Sequence, residues 1–150
     1  MRHFLGASRG LVLAGLLAAI GAPQTNAQNN PALSKEADSL LREQIAQACE
    51  GRGGKIDPAA AIERDLTGDG LDDLIISHEG ITCEGGGQSS LCGAQLCAVN
   101  IYVRRGGSLT LAREMLGIKV SVGSGKIPPI RLHAHGGKAA TLRWNGRAFR

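Results

Sequence analysis

Between residues 65 and 73 the chain reads Asp65-Leu66-Thr67-Gly68-Asp69-Gly70-Leu71-Asp72-Asp73. Oxygen-bearing side chains fall at loop positions one, three, five and nine, and Gly70 stands at position six, where a chain wrapped around an ion must turn sharply. Calcium takes about six to eight oxygens, so Asp65, Thr67, Asp69 and Asp73, with the carbonyl of Leu71, make a donor set for that ion. Position twelve is Ile76 where a complete EF-hand carries a bidentate Glu, so that motif is excluded. The plainer reading is an Asp/Gly turn whose carboxylates accept backbone N–H groups, and both readings stand at this point. Asp72 and Asp73 point to opposite sides if the chain is extended there.

Other chemistry-bearing residues are sparse. His133 and His135 lie two apart in a strand-like run, which puts both imidazoles on one side for a transition metal, with His78 as a third ligand. Gly87-Gln88-Ser89-Ser90-Leu91 lacks the closing Gly of an esterase elbow, and Gly125-Lys126-Ile127 lacks the hydroxyl residue of a phosphate loop. No catalytic residue is assigned.

The first 27 residues follow the secretory pattern. Arg2 and Arg9 precede the apolar run from Leu11 to Ala22, and the small-residue stretch Thr25-Asn26-Ala27 supplies a cleavage point. Twelve apolar residues are too few for a membrane-spanning helix, which needs about 20, so the mature chain is expected to carry no transmembrane segment and to be periplasmic or secreted. Four cysteines, Cys49, Cys83, Cys92 and Cys97, all lie in the mature part. An even count in an oxidising compartment predicts two disulfides. Of three connectivities, Cys92–Cys97 with Cys49–Cys83 is favoured: the first closes a local loop and the second ties a helix to a sheet. Zinc held by four thiolates is the alternative, but neither local spacing is C-x2-C.

These residues need elements to position them. Residues 28–32 are polar and contain Pro31, which predicts a mobile mature N-terminus, and residues 33–150 read as one small α+β domain. Leu33, Ala37, Leu40, Leu41, Ile45 and Ala48 recur at three- and four-residue spacing behind a capping Ser34, so one amphipathic helix ends near Cys49. After Pro58 the pattern changes to short β-like runs near 61–65, 73–78, 98–104, 109–114, 119–122, 130–135 and 139–144. Gly106-Gly107 marks a hairpin turn and Pro128-Pro129 the start of a strand. The expected architecture is a twisted, mainly antiparallel sheet with one helix packed on it.

The acidic loop resembles the D-x-N-G-D-G-x-x-D calcium loops of the FG-GAP and VCBS repeat families, which run into a strand as this one runs into Leu74-Ile75-Ile76. Thr67 replaces their third-position donor with a weaker, neutral one. More widely, Cys49, Gly53-Gly54, the acidic loop, Cys83-Glu84-Gly85, Cys92-Gly93, Cys97 and the ending Trp144-Asn145-Gly146-Arg147-Ala148-Phe149 resemble a group of small exported proteobacterial proteins of unknown function. That resemblance spans about residues 45–150. Members usually carry glycines between the last two cysteines, where this chain has Ala94-Gln95-Leu96. It implies export and paired cysteines, and no reaction.

Charge completes the expectations. Removing the leader takes Arg2 and Arg9 and lowers the formal charge from +4 to +2, but residues 28–103 carry −7 and residues 104–150 carry +9. The basic half predicts a surface for an anionic envelope or extracellular partner, centred on Arg104, Arg105, Arg131 and Arg143, unless the two halves neutralise each other across the fold. With Tyr102, Trp144 and Phe149 as the mature aromatics, a stacking platform for nucleic acid is not expected. The functional expectation is an exported, disulfide-stabilised binding or interaction module with a structural calcium loop. Its rival is a small metal-dependent envelope hydrolase.

Overall fold

The computed structural model describes residues 33–150, so the expected leader and mature N-terminus lie outside the described residues. Helix α1 spans Lys35–Ala48. The Ser34 hydroxyl accepts the Ala37 N–H at 3.3 Å, satisfying one of the donors that a helix start leaves free. Ala37, Leu41, Gln44 and Ala48 then bury one face at the spacing read from the sequence.

The main sheet is antiparallel and curled, with one helix packed against it, an α+β fold. Its strands are β2 (Ala61–Arg64), β3 (Asp73–Ser77), β5 (Cys97–Arg105), β6 (Ser108–Val122), β7 (Ile130–His133) and β8 (Ala139–Leu142), in the order β2-β3-β5-β6-β7-β8. Two three-residue strands escape the sequence reading: β1 (Gly54–Ile56) and β4 (Ile81–Cys83) pair beside the end of α1. The runs expected at 109–114 and 119–122 are one strand. β6 continues through 15 residues and bends where its register with β7 shifts between Ile118 and Ser121; Lys119 there holds a φ of +54°.

Alternation along the central strands divides the interior. Leu74, Ile76 and Tyr102 face α1, meeting Ala37 and Leu41. Ile75, Val99, Ile101 and Val103 face the other way, into the curl, where Ile130, Leu132, Leu142 and Phe149 join them. Both disulfides have the pairing favoured from the sequence: Cys49–Cys83 joins the end of α1 to β4, and Cys92–Cys97 closes the loop before β5.

The last residues complete the inner core. Arg143 and Arg150 exchange backbone N–H···O bonds of 2.7 and 3.0 Å, and Asn145 Oδ1 accepts the N–H groups of Arg147 and Ala148. Gly146 turns the chain at a φ of +91° that a side chain resists. Phe149 is thereby folded back to full burial, its ring 5.0 Å from that of Trp144.

Candidate functional site

The acidic loop connects β2 to β3 and is drawn tight by two of its own carboxylates. Asp65 Oδ1 accepts the N–H groups of Thr67 at 3.1 Å and Gly68 at 2.6 Å, while Oδ2 accepts that of Gly70 at 2.9 Å. Burial pushes the Asp65 carboxyl up, but the N–H groups of Gly70, Gly68, Thr67 and Asp69 outweigh it and hold the group below the ordinary carboxylate range. Gly68 is required here: its φ is +80°, and a Cβ would meet Ile127 Cγ1 at 2.9 Å, because the loop packs against Lys126 and Ile127.

Asp73 works from the opposite side. It is fully buried; Oδ2 accepts the N–H groups of Leu66 and Thr67 at 2.9 and 3.1 Å, and Oδ1 accepts that of Arg104 at 2.9 Å. Burial nevertheless raises its pKa from the ordinary value, the nearby Asp69 charge adding to the effect. Exposed Asp72 points away, as expected of neighbours in extended chain.

The donors expected for calcium therefore fit that ion in part. Asp65, Asp69 and Thr67 line the loop; the Thr67 hydroxyl is buried without a hydrogen-bond partner of good geometry, though it helps hold the Asp73 charge. Asp73 departs from the expected set because it is fully buried with both oxygens engaged by N–H groups, whereas Asp65, whose oxygens also accept N–H groups, keeps partial exposure to solvent. Among the described residues no three His, Cys, Asp or Glu side chains gather as a metal-binding group, so an ion in this loop would also need the hydroxyl of Thr67 and the carbonyl of Leu71.

Arg104 requires correction as a partner-binding residue. Its side chain is 14% exposed, and its guanidinium pairs with Glu36 at 2.7 Å and Glu63 at 3.0 Å. It also donates to the Asp72 carbonyl at 2.8 Å and the Ser34 hydroxyl at 3.1 Å, clamping the start of α1, β2, the acidic loop and β5 together. Arg105 is exposed but lies at the β5–β6 turn, paired with Ser108, at the far end of β6 from the residues that meet β7. Arg131 and Arg143 do come together. Arg131 pairs with Thr141 across β7 and β8, and Arg143 follows two residues later on the same outer face, both exposed. Arg143 also donates to the Ile127 carbonyl at 2.9 Å.

Against family models, curated proteins and solved structures, the chain matches none.

The histidines separate. His78 is fully buried, Nε2 at 3.0 Å from Gln44 Oε1 and Nδ1 at 2.9 Å from the Ser89 hydroxyl, away from the outer face of β7 that carries His133. His135 lies in the turn beyond β7, so it does not share a strand face with His133. Gln44 Oε1 also accepts from Asn100 Nδ2 at 2.7 Å. A side-chain amide oxygen only accepts, so the ring proton sits on Nε2, and Nδ1 accepts from the Ser89 hydroxyl. Hydroxyl beside imidazole is the arrangement of a nucleophile and its base, but Ser89 is 1% exposed and His78 sealed beneath it. The network joins α1, the turn after β3, the Ser89 loop and β5. Gln44 on the apolar face of α1 was its one sequence signal.

Proposed function

We propose that the chain is an exported binding module that takes an anionic partner on the outer face of β7 and β8, around Arg131 and Arg143. The observation that carries this reading is the pairing of an exposed arginine beside Thr141 with a second two residues along, in a stretch that contains no Asp or Glu after Glu114. Neither arginine is in an ion pair among the described residues, and exposed cations attract anions over a Debye length of about 8 Å at physiological salt. Two disulfides are compatible with an oxidising compartment, and no described helix is long and apolar enough to cross a membrane. Calcium enters this proposal as a structural ion held by Asp65, Thr67, Asp69 and the Leu71 carbonyl, with Asp73 shaping the loop from behind.

The test is binding of oxidised protein to fluorescent polyglutamate over a salt series. Affinity is expected to fall as salt rises and to drop about tenfold or more in Arg131→Glu/Arg143→Glu, while Arg105→Glu retains it. Unchanged binding in the double variant would refute this surface.

A further inference from the structure

We infer that the free edge of β8 takes an extended acidic segment of a partner protein as a seventh strand of the sheet. This rests on the reading of the chain as a binding module and names what is bound and how. β8 is the last strand of the sheet order, bonded to β7 on one side. The Ala134 N–H donates to the Lys138 carbonyl at the turn between them, which fixes the alternation: Ala140 and Leu142 direct their backbone groups at β7, and Ala139 and Thr141 direct theirs outward. Arg143 confirms the phase, because its outward N–H and C=O bond Arg150. Arg150 thus takes up the outward groups of Arg143, and among the described residues none bonds the outward groups of Thr141 and Ala139.

An exposed edge that is uncharged and free of proline accepts an incoming strand, main-chain bonds giving affinity and alternate side chains giving specificity. Ala139-Ala140-Thr141-Leu142 is such an edge. Its two sides dictate the guest. On the outer side Arg131, Thr141 and Arg143 select acidic residues, and on the inner side Ala140 and Leu142 border the core and select apolar ones. The guest therefore alternates acidic and apolar residues. The opposite edge, β2, differs: its Glu63 is tied to Ser34 and Arg104, and Pro58 stands just before it.

The experiment compares three probes on oxidised protein by fluorescence anisotropy: an eight-residue peptide alternating Glu and Val, the same peptide N-methylated at alternate residues on its docking edge, and polyglutamate. The alternating peptide is expected to bind, and N-methylation to weaken it about tenfold or more because charge is kept while main-chain donors are lost. Ala139→Pro is expected to weaken the peptide in the same way and leave polyglutamate bound, since the Ala139 N–H takes no part in the β7 ladder and its side chain is not part of the basic surface. If Ala139→Pro does not fold, the N-methylated peptide still decides. Equal binding of plain and methylated peptide, with polyglutamate bound, overturns the edge and leaves the basic surface. Failure of all three probes overturns both.

Discussion

Asp73 and Arg104 are bonded through the main chain: the Arg104 N–H donates to Asp73 Oδ1 at 2.9 Å, from a strand 31 residues away. This contact turns the last carboxylate of the acidic loop into the fold and leaves Asp69 exposed above it. The two residues should then respond oppositely to substitution. Asp73→Ala strands three N–H groups and should cost about 3 kcal/mol or more in urea unfolding, whereas Asp69→Ala without calcium should stay within about 0.5 kcal/mol. Millimolar calcium should raise the melting temperature by several degrees, corresponding to about 2.7 kcal/mol at 100 times the dissociation constant, and Asp69→Ala should abolish that gain. A melting temperature indifferent to calcium would leave the loop as a turn alone.

Arg104→Met keeps much of the side-chain volume and removes the charge between Glu36 and Glu63. Glu63, with a side chain 11% exposed, would be left without its cation, and stability should fall by about 2–4 kcal/mol. Arg105→Met, at an exposed position, is the comparison and should change stability by under about 0.5 kcal/mol. Equal effects would refute the clamp.

Burial holds the His78 imidazole below its ordinary value of 6.5, the Glu114 charge opposing weakly. The unfolded chain therefore binds a proton that the fold resists. The neutral-His contribution is fully present above pH 6.5 and falls as the pH drops below it, until the lower folded value is passed, with a slope approaching about 1.4 kcal/mol per pH unit. Urea midpoints measured from pH 7.5 down to 5 should show this decline. His78→Gln, though less stable throughout, should show a shallower one.

Cys49→Ala/Cys83→Ala opens a bridge spanning 34 residues and should cost about 3–4 kcal/mol by loop entropy. The change should appear as a lower denaturant midpoint in non-reducing conditions. A loss under 1 kcal/mol would mean that packing among Ala48, Ile81 and the helix end holds β4 without the bridge.

Local signals account for what the sequence disclosed. The Ser34 cap, the apolar spacing of α1, the hairpin glycines 106–107 and the cysteine spacings each act within a short stretch of chain, and each appears where it was read. The sequence pattern divides β6 in two because it breaks near Gly117 and Lys119, where the backbone bends without leaving the sheet. Three-residue β1 and β4 offer too few residues for an alternation to register. Charge counted along the chain puts Arg104 on the surface, because it does not reveal that Glu36 and Glu63 arrive from 68 and 41 residues away. The Gln44–His78–Ser89 network was hidden for the same reason.

Phe149 gives the inner core its largest fully buried side chain, and it stands one residue before Arg150. A chain emerging from its N-terminus can bring Cys92 to Cys97, and Cys49 to Cys83, long before that ring arrives. Neither bridge requires the Phe149 ring, so cross-linking can precede the closing of the inner cluster around it. Removing Phe149 and Arg150 would therefore open the inner cluster while leaving both bridges free to form.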